Sequence, residues 1–346
     1  MPLYTYTIEQ SQEWDRVVRS FLLRDVYYLS GYVKAFQLHG DGEPLLFYYE
    51  NEDIRGINVV MKRDLADDPF FAKRIERNTY FDFITPYGYG GWLIEGDGEK
   101  CALFSEYENW CVTHNVVSEF VRYHPMLDNS DATELTYQVV KLGKTIAMDL
   151  SSPEMIWNNL TSKNRNMVRK AQKSGVKIYR GQFPEIYISF KEIYNQTMDS
   201  DHATDYYYFP DAFYNSIQND LPNESQLFWA EIEGKIIAAS IMISENGYMN
   251  YHLSGSLREY QHLAPSNLLL YEAALWGCCN GYRTLHLGGG VGSKEDGLFK
   301  FKSSFNRNKR MQFAIGKKVF LQNVYDELVA MKNRRDTFGF FPEYRA

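Results

Sequence analysis

Leu46-Phe47-Tyr48-Tyr49-Glu50-Asn51-Glu52-Asp53-Ile54-Arg55-Gly56-Ile57-Asn58-Val59-Val60-Met61 alternates aromatic and β-branched residues on either side of a polar turn at Asn51-Glu52-Asp53. That pattern predicts a β-hairpin. It returns later as Leu227-Phe228-Trp229, a turn at Glu233-Gly234-Lys235, and a strand through Ser240-Ile241-Met242. Leu46 and Leu227, Phe47 and Phe228, and Met61 and Met242 are all separated by the same number of residues. Downstream of the first hairpin, a helical segment from about Cys101 to His114 with Trp110 leads into the strand-like Val116-Val117-Ser118-Glu119-Phe120-Val121. Downstream of the second, a helical segment from about Pro265 to Asn280 with Trp276 leads into Arg283-Thr284-Leu285-His286-Leu287. Two hairpin–helix–strand units in the same order predict a duplicated α/β (α+β) architecture. The expected boundary lies near Leu150, giving domains 1–150 and 151–346.

The chain of 346 residues is long enough for two cores. It is 45% hydrophobic and 23% charged, which excludes a disordered, collagen-like or coiled-coil chain. Tyrosine leads an aromatic share of 16%, and tyrosine suits half-buried cleft walls as well as cores. With 37 Lys+Arg against 44 Asp+Glu, the net charge is −7. That argues against DNA or an anionic membrane as a whole-surface partner, while a local basic face remains open to transient membrane-surface contact. Cys101, Cys111, Cys278 and Cys279 show no zinc or disulfide spacing, so reduced thiols and no metal are expected. The absence of a signal-like N-terminus and of a long apolar run predicts a cytoplasmic protein without a transmembrane segment.

Ser151-Ser152-Pro153-Glu154 supplies an N-cap, a first-turn proline and an acidic residue for a helix from Pro153 to Ser174, which Gly175 is placed to end. At about 100° per residue, Ile156, Trp157, Leu160, Met167, Val168 and Ala171 share an arc of roughly 120°. Lys163, Arg165, Arg169, Lys170 and Lys173 lie opposite. Such a face either stays solvated or forms a platform for a polyanion such as a nucleotide diphosphate, a lipid pyrophosphate or a tRNA backbone. Arg165 and Arg169, one turn apart with forked donors, are the best phosphate candidates.

The strand ending at Leu287 runs into Gly288-Gly289-Gly290-Val291-Gly292-Ser293 and then Gly297-Leu298-Phe299-Lys300-Phe301-Lys302-Ser303-Ser304-Phe305. Glycines after a strand let the backbone approach a ligand, or simply make a turn. Neither the phosphate-loop nor the dinucleotide-binding spacing is present. A lone His252 or His286 is read as a core or strand residue rather than a general base.

At these residues the chain resembles the Fem-type aminoacyltransferases, a branch of the GNAT acyltransferase superfamily. The resemblance takes in Lys163 to Val176, Pro265-Ser266-Asn267-Leu268-Leu269-Leu270-Tyr271-Glu272, the strand ending in Gly288-Gly289, Gly297 through Phe305, and Thr85-Pro86-Tyr87-Gly88-Tyr89-Gly90-Gly91. It implies two tandem GNAT-like domains, each a mixed, mainly antiparallel sheet flanked by helices, and transfer of an aminoacyl or acyl group to an amine of a cell-envelope precursor or sugar nucleotide. By the same resemblance Phe301 and Lys302 line the transfer channel, with the Lys302 ammonium at the reacting carbonyl. Gly288 and Gly289 admit the substrate backbone, and Tyr87, Tyr89 and Gly90 contact the acceptor. No tightly bound cofactor is implied; the donor, aminoacyl-tRNA or acyl-CoA, is a co-substrate, and the acceptor is a small-molecule or lipid-linked amine. The alternatives are acetyl-CoA-dependent N-acetylation of an amino sugar and a noncatalytic tRNA- or anionic-lipid-binding protein. Two segments differ from the family. Tyr194-Asn195-Gln196-Thr197 is followed by Met198-Asp199-Ser200-Asp201, without the arginine often found there in bridge-forming relatives. Arg258 to Pro265, where an acetyl-CoA enzyme carries its glycine-rich pyrophosphate loop, has no glycine.

Overall fold

The computed structural model describes residues 3–332 and 339–346. They divide into two units, Met1–Leu142 with Phe313–Ala346, and Gly143–Gln312.

In the first unit the strands run in the order Leu3–Tyr6, Glu43–Glu50, Ile54–Asp64, Phe81–Ile84, Val116–Arg122 and Arg310–Val319, with Leu93–Gly96 also on Ile54–Asp64. The expected hairpin is present: Leu46 faces Val59 and Glu50 faces Arg55. Its turn is fixed by the Asn51 side-chain oxygen, which accepts the backbone N–H of Asp53 and Ile54, a local bond that Asn makes readily. Phe81–Ile84 and Val116–Arg122 are parallel. The helix Cys101–Thr113 makes that crossover and buries Leu103, Phe104, Tyr107 and Cys111 against Phe47, Val60, Trp92 and Val121.

The second unit repeats the plan with strands Gln138–Asp149, Thr284–Gly288, Tyr248–Ser256, Lys235–Glu245, Ser225–Ile232 and Lys177–Gly181 in that spatial order. Its hairpin closes through Glu233 (φ 51°) and Gly234 (φ 79°), the left-handed pair that a two-residue turn requires. Its parallel pair, Tyr248–Ser256 with Thr284–Gly288, is bridged by the helix Pro265–Cys279. Leu268, Leu269, Ala273 and Ala274 of that helix pack on Met148, Phe228, Met242 and Leu285.

Two sequence expectations need correction. The segment 151–346 is not one unit. Ile315–Val319 pairs with Ser118–Arg122 of the first unit, and the fully buried Tyr344 hydrogen-bonds the Ser118 hydroxyl at 2.7 Å. Conversely, Ile146–Asp149 pairs with Thr284–Gly288, so the second unit begins at Gly143 rather than 151. The basic helix is also two helices, Pro153–Asn159 and Ser162–Lys173. The break falls at Leu160, which is extended, because the Thr161 hydroxyl caps a new helix by accepting the Asn164 N–H. Gly175, at φ 82°, follows the second helix as expected.

Candidate active site in the second unit

The parallel pairing of Tyr248–Ser256 with Thr284–Gly288 extends only from Tyr248↔Thr284 to Asn250↔His286. Beyond it, Tyr251 to Ser256 stay paired with Lys235–Glu245, and Gly288 turns away to pair with Ile146. The two strands therefore part toward their carboxyl ends. A sheet that opens between parallel strands exposes backbone groups to a ligand there.

The glycine turn sits at the end of the departing strand. Gly288 has φ 76°. A Cβ on Gly289 would stand 2.9 Å from the Lys144 carbonyl oxygen, and one on Gly290 would stand 2.0 Å from that of Lys294. Close packing alone thus demands these glycines. Asp296 ties the turn to the next helix: its carboxylate accepts the N–H of Val291 at 3.0 Å and of Phe299 at 2.8 Å. The second bond caps the helix Gly297–Ser303.

Because Gly297–Ser303 is a helix and not extended chain, Lys300 and Lys302 do not share a face. Lys300 is exposed, whereas Lys302 turns inward and its ammonium donates to the Gly289 carbonyl oxygen at 2.8 Å. Burial pushes the Lys302 ammonium down to about 8, against the opposing pull of the Asp296 carboxylate. The group is still mostly charged at neutral pH, yet far less hydrated than a surface lysine. Phe301 is half-buried and meets Phe305 edge-on, with ring centroids 5.3 Å apart. Lys302, Gly288, Gly289 and Phe301 are thus brought together. His252, in the parting strand, is pushed down to about 3 by burial, which makes it a poor general base at neutral pH.

Arg165 and Arg169 lie on the helix Ser162–Lys173, whose first residues adjoin the Gly297–Ser303 helix through Thr161 N–H donating to Ser304 O at 2.9 Å. Arg165 donates to Leu160 O at 2.6 Å and to the Ser162 hydroxyl at 3.2 Å; it satisfies the broken end of the preceding helix. Arg169 is exposed with its guanidinium 5.0 Å from the Trp157 ring centroid. Lys163, Lys170 and Lys173 are exposed. Asn164, which is 1% exposed, accepts from Asn267 on the helix Pro265–Cys279 at 2.8 Å. Both asparagines sit inside stretches singled out in the sequence, but their partnership across about a hundred residues carries no local signal.

Tyr87, Tyr89 and Gly90 belong to the first unit. Tyr87 stacks on Phe36 with ring centroids 5.4 Å apart, and its carbonyl accepts the Tyr32 hydroxyl. Tyr89 packs against Tyr27, His124 and Phe313, and burial raises its hydroxyl pKa. Gly90 donates its N–H to Arg122 O and accepts the Asn129 amide at 2.9 Å. Behind this wall, His124 and Asp25, both fully buried, pair at 2.9 Å.

Residues 162–303 match the family model described as an acetyltransferase (GNAT) domain. A crystal structure of FemX resembles the whole chain, with TM-score 0.69 and 13% identity over 94% of this chain and 99% of that one. The chain has a Fem-like GNAT fold. The structure of L-PGS from Bacillus licheniformis is also similar, with TM-score 0.54 and 13% identity over 82% of this chain and 86% of that one. So is a conserved protein of unknown function from Bacteroides thetaiotaomicron, with TM-score 0.59 and 10% identity over 92% of this chain and 100% of that one. Sequence comparison with curated proteins gives no match. The matched segment lies wholly within the second unit and carries both the glycine turn and Lys302. Among the described residues, no cluster of His, Cys, Asp and Glu is arranged to hold a metal ion, and no helix is long and apolar enough to cross a membrane.

Proposed function

We propose that the chain forms an amide by moving an aminoacyl or acyl group from an ester or thioester donor to the amine of a cell-envelope precursor or sugar nucleotide. The observation that carries this reading is the inward-turned Lys302 ammonium at the Gly289 carbonyl, where the parallel strands part. The acceptor nitrogen attacks the donor carbonyl carbon, the C–N bond forms, and the C–O or C–S bond breaks. The leaving alcohol or thiol takes the proton that the nitrogen gives up. Negative charge develops on the carbonyl oxygen, and one aimed donor is worth roughly 3 kcal/mol in such a transition state. Lys302 supplies that donor, Phe301 lines the path, and Gly288 and Gly289 let the substrate backbone approach.

Arg169 and the neighbouring lysines are the proposed phosphate contacts, with Arg165 contributing only the donors that its helix-end carbonyls leave over. Tyr87, Tyr89 and Gly90 are the proposed acceptor contacts of the first unit. The segment Arg258–Leu263 is a 3-10 helix ending in a left-handed Ala264, without glycine to cradle a pyrophosphate, which favours an aminoacyl ester over acyl-CoA as donor. Incubation with aminoacyl-tRNA and acyl-CoA pools, read as intact-mass change of candidate amines, tests the reaction. An amide product that falls about a hundredfold with Lys302→Met supports the assignment. No product from either pool, or an unchanged rate in the variant, overturns it.

A further inference from the structure

At the carboxyl end of the other parting strand, beside the Arg258–Leu263 segment, the second unit holds two adjoining cavities. The smaller, about 250 Å³, is lined by Thr197, Ser200, Asp201, Ser256, Arg258 and Gln261. The larger, about 850 Å³, shares Arg258 and adds Ile193, Ile236 and Leu257 beside the charged Glu192, Lys235 and Glu259.

The hydroxyls of the small cavity are already engaged. Thr197 Oγ1 donates to Ile193 O and accepts the Ser256 N–H, and Ser200 Oγ donates to Gln196 O at 2.8 Å. The two charges are not. Among the described residues Arg258 and Asp201 form no ion pair with each other or with a third group, although Lys235 beside them is committed to Glu259 at 2.9 Å. A guanidinium and a carboxylate that face one cavity without meeting leave room for a ligand carrying both complementary charges. A phosphate would gain from Arg258 but be repelled by Asp201, and a plain amine the reverse. The volume falls below the roughly 300–1,000 Å³ of pockets for drug-sized ligands, whereas its neighbour lies within that range. A compact head group with a longer tail fits the pair.

We propose that this site binds an α-amino acid head group, its carboxylate on Arg258 and its ammonium on Asp201, with the side chain or the rest of the molecule in the larger cavity. Ser256 and Gly288 end the two strands of the parallel pair on the same side; that the bound amino acid is a substrate rests on the proposed transfer reaction. The site thereby names the substrate class as one with a free amino-acid terminus.

The test is ligand-observed NMR on the full chain, using glycine, L- and D-alanine, L-lysine and meso-diaminopimelate, each against its α-N-acetyl and α-amide forms, with inorganic phosphate as the competing anion. Binding of at least one free amino acid, weakened about tenfold or more by either blocking group and by either Asp201→Asn or Arg258→Ala, supports the site, since polar groups left unpaired penalise the analogue. Both positions are exposed, and unchanged circular dichroism shows that the variants fold. No binding by any free amino acid overturns the proposal. So does phosphate binding that needs Arg258 and improves in Asp201→Asn, which would make this an anion site. Amino-acid binding by a wild-type protein that forms no amide from either donor pool would sink the transfer reaction and leave the site standing.

Discussion

Replacing Lys302 by methionine should make the protein less active and change how its stability responds to pH. The ammonium titrates near 8 in the folded chain, against about 10.4 for an ordinary lysine. Below 8 both states carry the proton, and the folded state bears the whole burden of a poorly hydrated charge. Between 8 and 10.4 the unfolded chain still binds the proton while the folded chain has released it, so stability rises with pH through that window. At 1.36 kcal/mol per pH unit the full gain is about 3 kcal/mol, of which about 2 kcal/mol accrues between about pH 7 and pH 9.5. Methionine is unbranched, one heavy atom shorter than lysine, and has no proton to lose, so the variant lacks this gain. Urea unfolding of both proteins at the two pH values, followed by tryptophan fluorescence, measures it, and subtraction removes every other titrating group. The difference in unfolding free energy should move by about 2 kcal/mol in favour of wild type on going to high pH, while amide formation is lost at both. Parallel pH dependence in the two proteins would refute the buried-ammonium account of Lys302, whatever happened to the activity.

Asp296→Ala removes a helix cap and the bond to Val291, so it should cost about 1–2 kcal/mol in thermal or urea unfolding. Because the Asp296 charge raises the Lys302 value, the variant's alkaline loss of activity should also begin at lower pH. Gly290→Ala puts a methyl group 2.0 Å from the Lys294 carbonyl oxygen, and should reduce turnover far more than Gly297→Ala, whose added methyl meets nothing within 4 Å. Arg345→Met strips one of two guanidinium partners from Asp82, which is fully buried and bonded to Arg63 at 2.8 Å and Arg345 at 2.9 Å. Burial pushes the Asp82 carboxyl up, but the two arginines outweigh it and hold the value below the usual range. That stability is present at neutral pH and lost as pH falls through the folded value, so Arg345→Met should cost about 3–5 kcal/mol and move acid unfolding, followed by circular dichroism, to higher pH.

The repeated hairpins were legible because period-two alternation and turn residues are local signals. The break at Leu160 was also written locally, in Thr161, but amphipathic spacing continues across it and hides the cap. Arg165 looked like a free phosphate ligand because nothing in its neighbourhood shows that the broken helix end needs a donor. Asp296 carries no local signal of its role, which depends on Val291 and Phe299 folding around it. The inward turn of Lys302 could not be separated from that of Lys300 without knowing that the segment is helical. The pairing of Ile315–Val319 with Ser118–Arg122 rests on register alone, across about two hundred residues. The grouping of Asp201 with Arg258 joins a helix end to a strand end and has no sequence spacing of its own.

The route of the chain sets an order on its synthesis. Gly143–Gln312 is continuous and can acquire its core as soon as it leaves the ribosome, whereas the strand Val116–Arg122 emerges early and must wait for Phe313–Val319 before one of its edges is paired. An unpaired strand edge is a template for the wrong partner, and domains otherwise tend to fold in order of emergence. Here the later-made segment finishes first, and the N-terminal unit matures only once Phe313–Val319 has emerged. A nascent chain stalled before Phe313 would therefore carry a folded second unit beside an unfinished first one, and that interval is when the molecule is most in need of a chaperone.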